Sequence, residues 1–152
     1  MRRKEKEITD RSEIDAIINA SVVCRLALAS DNQPYLVPLS FGYDGLAIYV
    51  HTAGEGKKID FFTANNRVCV EFERNVGLKT HADLACKWSV HFESVIGDGT
   101  IQELTGTRDK QYGLNQIMRH YSGKDWEFDM QAMARTRVWK VVLTSISGKR
   151  SL

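Results

Sequence analysis

The stretch from residue 22 to residue 51 restricts the fold most. Residues 22–30 alternate, with Val22, Cys24, Leu26 and Leu28 on one face and Val23, Arg25, Ala27 and Ala29 on the other. Asp31-Asn32-Gln33 supplies turn chemistry, residues 34–42 form a second extended run, Tyr43-Asp44-Gly45 a second turn, and residues 46–51 a third run. Connections this short force antiparallel pairing, because a parallel crossover needs about a dozen residues or more. The segment therefore predicts a β-meander.

The rest of the chain extends this pattern. Asp10 and Glu13 form a capping-box variant, and Ile14, Ile17 and Ile18 at helical spacing predict a helix ending near Ala20. Gly54-Glu55-Gly56 breaks the chain, and residues 57–65 read as a short helix burying Ile59, Phe61 and Phe62. Residues 67–73 read as a strand with Val68, Val70 and Phe72 on one face, followed by a long loop over 75–85. A fifth strand covers 87–96, bends at Gly97 and Gly99 and continues through Ile101. A helix over 107–121 carries Leu114, Ile117, Met118 and Tyr121 and stops at Ser122-Gly123. A helical turn or two covers 130–134, and a last strand runs over 137–147 and ends at Gly148. About six strands without βαβ alternation predict a mainly β fold with flanking helices, a closed antiparallel barrel rather than a doubly wound sheet, in one domain over 1–152. Pro38 cannot donate to a ladder, so its strand is an edge, is bulged, or is unpaired there.

Charge and cysteine usage exclude several classes. A net charge of +2 is too small to draw nucleic acid or membrane by bulk electrostatics, and no apolar run reaches the length of a membrane span. The basic start MRRKEK is interrupted by Glu5 and Glu7 and leads into a helix start, which does not read as a secretory signal. The three cysteines, Cys24, Cys69 and Cys86, are far apart with no CxxC or Cys/His ligand spacing, so the expectation is reduced thiols, a cytoplasmic setting and no metal. His51, His81, His91 and His120 fall in separate elements and no serine sits in a GxSxG setting, so no hydrolytic triad is proposed.

The strongest local constellation is His51-Thr52-Ala53-Gly54-Glu55-Gly56-Lys57-Lys58. A strand ends in His-Thr, glycines follow, and two lysines open a helix. Free amides at a helix N-terminus, close backbone approach and positive charge are what phosphate binding needs, and the Thr52 hydroxyl offers one more donor. The spacing is neither a Walker loop nor a dinucleotide fingerprint. By spacing alone it is equally a solvated turn with two surface lysines. His120 reads as a charge at a helix C-terminus. His91 reads as a core or interface histidine, and Cys86 as either a buried inert thiol or one activated beside Lys87. Trp88, Trp126, Trp139, Phe41, Phe92 and Tyr49 supply enough aromatic area to line a planar ligand, and core packing accounts for them equally well.

Taken in order, these segments resemble the pyridoxamine 5′-phosphate oxidase-like family of FMN-binding split barrels, and within it the 5-nitroimidazole reductases of the Nim antibiotic-resistance type. The resemblance runs through Met1-Arg2-Arg3-Lys4, Ile8-Thr9-Asp10, Cys24-Arg25-Leu26-Ala27-Leu28, residues 34–43 (PYLVPLSFGY), residues 51–60 (HTAGEGKKID) and Asn66-Arg67-Val68-Cys69-Val70-Glu71. It continues through Cys86-Lys87-Trp88, residues 94–99 (SVIGDG), Met118-Arg119-His120-Tyr121 and Ser147-Gly148-Lys149-Arg150. It implies a six-stranded antiparallel split β-barrel that binds FMN at a homodimer interface. Pro38, Leu39, Ser40 and Phe41 would then run along the isoalloxazine ring, and His51 and Thr52 would end a strand under the ribityl and phosphate. Lys57 and Lys58 would neutralise the phosphate, and Ser94 and Val95, with Trp88 near them, would come from the second subunit. Arg25 matches a recurrent family arginine, placed either at the phosphate or in a structural ion pair.

The resemblance implies a flavin-dependent oxidoreductase that reduces nitroaromatic or other small electron acceptors, with His51 near the substrate. Pyridoxamine phosphate oxidases carry a C-terminal arginine- and proline-containing motif for the substrate phosphate. This chain reads Ser147-Gly148-Lys149-Arg150 there, which argues against vitamin B6 oxidation. A non-enzymatic flavin-storage or sensing protein and a haem-handling split barrel are the alternatives.

Overall fold

A computed structural model describes residues 3–151. In chain order the elements are β1 (Glu7–Ile8), α1 (Arg11–Ala20), β2 (Cys24–Ser30), β3 (Gln33–Leu39), β4 (Gly42–Tyr43) and β5 (Ala47–Thr52). They continue with α2 (Lys57–Ala64), β6 (Arg67–Lys79), β7 (Ser89–Leu104), α3 (Thr107–Ser122), α4 (Met130–Arg135) and β8 (Arg137–Ser151). All strand pairs are antiparallel, in the order β3-β2-β6-β7-β8-β5-β4, with β1 on β8. The expected architecture, an antiparallel split barrel with flanking helices, is the one observed. The strand count is eight rather than six, because β1 and β4 contribute two residues each.

Two expectations change. The run over 22–51 is not a three-stranded meander, and the barrel is not closed by hydrogen bonds. β2–β3 and β4–β5 are separate hairpins at opposite ends of the strand order, and the chain crosses between them through Ser40 and Phe41. Pro34 and Pro38 remove amide donors at two positions of the same parity in β3, which suits that strand to an edge. Pro38 is itself in the ladder, opposite Arg25.

Other boundaries move for local reasons. The predicted loop over 75–85 is partly strand. Asn75 takes φ 54°, the register shifts between Arg74 and Gly77, and pairing resumes at Gly77↔His91, Leu78↔Val90 and Lys79↔Ser89. The bend expected at Gly97 and Gly99 is a register shift between Asp98 and Gly99. β8 does not stop at Gly148. A side chain there would come within 2.8 Å of Ile8 Cβ, so the missing Cβ admits β1 against the strand.

The inward faces form the core. Cys24, Leu26 and Leu28 meet Val68, Val70 and Phe72, closed over by Ile14, Ile17 and Ile18 of α1 and by Ile59 and Phe62 of α2. Phe61 is only half-buried, against Tyr35. α3 buries Ile117 against Ala47 and Tyr49. Asp10 caps α1 by accepting from the Ser12 amide at 2.9 Å. Glu13 does not complete the capping box and accepts instead from Arg150 at 2.6 Å. Among the described residues no helix is long and apolar enough to cross a membrane.

Glu93 is buried and ties four elements together. It accepts from Arg74 at 2.8 Å, Asn75 at 2.8 Å and Arg150 at 3.0 Å, and Arg150 continues to Glu13 on α1. Burial pushes the Glu93 carboxyl up, but the donors from Arg74, Asn75 and Arg150 outweigh it and hold the pKa below the usual glutamate range. The stability Glu93 contributes is thus present above the ordinary glutamate pKa and is lost as pH falls through the lowered one. Glu93→Gln is expected to cost about 2 kcal/mol at pH 7, because, among the described residues, it takes the only carboxylate from Arg74 and leaves Arg150 with Glu13 alone, and to flatten the acid limb of the stability curve. Urea unfolding across pH 3–7 (approximate range) checks both. An unchanged acid limb would contradict the assignment.

Candidate functional site

The loop between β5 and α2 is built on a buried frame. Thr52 is buried, its Oγ1 accepting from Trp139 Nε1 at 3.0 Å and donating to the Ala53 carbonyl at 2.9 Å. That hydroxyl proton is therefore committed within the frame. Arg137 donates twice to Glu103, at 2.8 and 2.6 Å, and once to the Gly54 carbonyl at 3.3 Å. Its guanidinium stands 4.7 Å from the centre of the Trp139 ring. The sequence names Trp139 only as an aromatic for a planar ligand or the core, and singles out neither Arg137 nor Glu103. Nothing local says that β8 would lie beside β5 or that β7 would run on to Leu104.

Above this frame the loop is open. Gly56 takes φ 136°, which favours glycine, and it precedes α2 with no side chain capping the helix. The first intrahelical bonds run from Ile59 and Asp60 to the Gly56 carbonyl, so the Lys57 and Lys58 amides have no partner within the helix. A Cβ at Gly54 or Gly56 would meet nothing within 4 Å. Lys57 Nζ lies 4.7 Å over the Tyr35 ring and 5.7 Å from that of Phe61. Lys58 stands close enough to His51 to act on its charge. Crowding by neighbouring atoms, and then the Lys58 cation, push the His51 pKa below its ordinary value. His51 itself is exposed and, with a lowered pKa, neutral at pH 7.

The crossing segment reaches the same place. Pro38 is exposed, Leu39 faces the core, Ser40 is half-buried, and Phe41 is fully buried against Phe72 at 5.0 Å and His120 at 4.3 Å. β4 pairs with β5 at Gly42↔Tyr49, where the ladder ends; the same register continued by two residues would set Ser40 level with His51. His51, Thr52, Lys57 and Lys58 thus lie along one strand-to-helix connection, with Ser40 aligned to it only through the continued β4–β5 register.

It does not gather the others. Leu104 of β7 lies opposite Val138 at the His51 end, whereas Ser94 lies opposite Lys149 at the far end, roughly 33 Å along the strand. Val95 is fully buried in its own core. Trp88 is 53% exposed on the β6–β7 arm, held by Nε1–H to the His81 carbonyl at 2.8 Å. Surface clefts of about 450 and 560 Å³ also lie elsewhere, beside Arg150 and beside Cys69.

The remaining candidates resolve into scaffolding. Arg25 pairs with Glu71 at 3.1 Å and Glu73 at 2.8 Å, the ion-pair alternative. His120 bonds the Ser21 carbonyl at 2.8 Å, outside its own helix. His91 is exposed, its ring over Gly77. Burial pushes the Cys24 thiol up to about 12, burial and Asp98 raise that of Cys69, and Cys86 is exposed rather than buried. Trp139, Phe41 and Tyr49 belong to the core. Among the described residues no group of three or more His, Cys, Asp or Glu converges as a metal site.

Comparison with known proteins bears on the family and the fold. The family model described as pyridoxamine 5′-phosphate oxidase matches residues 10–150. An uncharacterized protein of Rhizobium meliloti (strain 1021) is 29% identical over 101 residues, 66% of this chain and 59% of that protein, so the match spans well under two thirds of the relative. Among solved structures, a candidate 5-nitroimidazole antibiotic resistance protein from Bacteroides thetaiotaomicron VPI-5482 is 30% identical, with a TM-score of 0.84, over 95% of this chain and 86% of that one. A FAD-binding protein from Mesorhizobium loti is 25% identical, with a TM-score of 0.67, over 97% and 98% of the two chains.

The electrostatics of the loop are directly measurable. The His51 imidazole is expected to titrate below the ordinary histidine value by NMR. Lys58→Ala is expected to move its midpoint upward, toward but not up to that value, because crowding remains. A midpoint insensitive to Lys58 would mean that the two side chains do not interact.

Proposed function

This chain belongs to the pyridoxamine 5′-phosphate oxidase family, and from that premise we propose that it binds FMN at the β5–α2 loop as a homodimer and serves as an oxidoreductase for nitroaromatic or other small electron acceptors. The observation that carries this reading is the uncapped N-terminus of α2 beneath Gly54 and Gly56, with Lys57 and Lys58 beside it. Unpaired amides, open space where a side chain would stand, and two cations form a donor set that fits a phosphate monoester.

Lys57 and Lys58 would neutralise the phosphate, Lys57 leaving the Tyr35 face to do so. Thr52, Arg137 and Trp139 would hold the loop still. The backbone from Pro38 to Phe41, with Ser40 level with His51 in the continued β4–β5 register, would border the ring. Bound flavin would supply the electron-transfer chemistry that no side chain provides. Neutral His51 offers one N–H donor and one acceptor nitrogen, suited to orienting a small polar acceptor above the site. Arg150 is engaged by Glu93 and Glu13, so it is not free for a substrate phosphate. That supports an acceptor other than a B6 vitamer.

A second copy supplies what one chain separates. Trp88, Ser94 and Val95 would approach from the partner, the last through its backbone because its side chain is buried. The arm that carries Trp88 also exposes Val76, Leu78 and Val90. A two-stranded ribbon with an uncovered apolar face is marginal in water, which favours its burial in a dimer.

The purified protein is expected to be yellow, to sediment as a dimer and to release the mononucleotide. Replacing Lys57 and Lys58 together with alanine is expected to weaken FMN binding at least about tenfold, measured by fluorescence titration. Unchanged affinity would remove the phosphate assignment. Anaerobic reoxidation of the reduced protein by a 5-nitroimidazole tests the reaction, and an acceptor-independent rate would favour a storage role.

A further inference from the structure

The two hairpins fail to join at one point, and a side chain from α3 occupies it. The last β2–β3 pair is Cys24↔Leu39, and the same register carried two residues further sets Val22 opposite Phe41. These residues do not pair directly. The Tyr121 hydroxyl, in the last turn of α3, lies between them. It accepts from the Phe41 amide at 3.1 Å and donates to the Val22 carbonyl at 2.7 Å. One phenol thereby satisfies the donor and the acceptor that a continued ladder would have matched to each other.

Two neighbours hold the phenol in place. His120 bonds the Ser21 carbonyl at 2.8 Å and lays its ring 4.3 Å from that of Phe41. Gly42 lets the helix approach, since a Cβ there would lie 2.2 Å from the Gln116 backbone. The helix end is thus clamped to both sides of the opening.

We propose that Tyr121 is a positioning residue for the flavin, wedging the β2–β3 ladder open so that the Ser40–Phe41 backbone stays beside His51 rather than zipping onto β2. The proposal rests on the reading that this segment borders the flavin ring. Without the hydroxyl, the Phe41 amide and the Val22 carbonyl are left to each other, and one more rung would draw the crossing away from β5. A phenol that merely fastens α3 would affect folding stability and nothing at the ring.

Tyr121→Phe separates the two roles. The variant is expected to keep its far-UV circular dichroism, to bind FMN about tenfold more weakly at a temperature well below its unfolding midpoint, and to show altered visible circular dichroism of the bound flavin. His120→Gln, which keeps a donor for Ser21 but removes the ring beside Phe41, is expected to act in the same direction and serves if the first variant does not fold. A lowered unfolding midpoint with unchanged FMN affinity and unchanged visible spectrum overturns the proposal. If the parent protein binds no flavin, the flavin reading itself is overturned and this one with it, so the two failures are distinguishable.

Discussion

The chain passes from one end of its sheet to the other in two residues, Ser40 and Phe41, and no ladder bridges that gap. A sheet of this curvature either closes by hydrogen bonds or leaves two edges whose donors and acceptors must be met otherwise. Here the edges are β3, depleted of donors by Pro34 and Pro38, and β4, only two residues long. The crossing is held by a buried Phe41 ring and by the Tyr121 hydroxyl. Because β4 enters beside β5 directly after the crossing, the way the barrel is split also decides which backbone leads up to the β5 strand end.

The two ends of β8 carry the polar anchors of the fold. At one end Arg137 joins Glu103 of β7 to the Gly54 carbonyl, so the open loop inherits the rigidity of the sheet. At the other, Arg150 and Arg74 converge on buried Glu93 and reach Glu13 of α1. A buried carboxylate is tolerable only when its charge and its lone pairs are met, and three donors do that here. The same commitment occupies Nε and Nη2 of Arg150 within the fold. The loop keeps its cations less engaged, with Lys57 only resting on an aromatic face, which leaves that charge able to move to a phosphate.

Much of this was legible in order of residues. The alternation of Cys24, Leu26 and Leu28 and of Val68, Val70 and Phe72 named the inward faces, and the isoleucines of α1 named its buried stripe. Each is a local pattern set by strand or helix period. The His51–Lys58 segment was visible as a possible phosphate loop because glycines and lysines at a strand-to-helix junction are themselves local chemistry. The loop drawn over 75–85 failed because Asn75 and Gly77 are turn residues that here make a bulge, and the strand resumes once the bulge has passed. A chain cannot announce that resumption without its partner strand.

What the sequence determined by itself, therefore, is the set of elements, their inward faces and the chemistry of one loop, because each depends on neighbours within a few residues. The tertiary structure decided three further things. It separated two hairpins that read as one meander, because pairing with β2 ends at Leu39 and pairing with β5 begins only at Gly42. It brought Arg137, Glu103 and Trp139 under the loop, because β8 came to lie between β5 and β7. And it placed Tyr121 between Val22 and Phe41, because α3 packs where glycine at position 42 leaves room for its backbone. These contacts join residues far apart in the chain, from the 34 positions between Glu103 and Arg137 to the 80 that separate Phe41 from Tyr121 and the 99 between Val22 and Tyr121. No local periodicity encodes such contacts, and packing alone selects them.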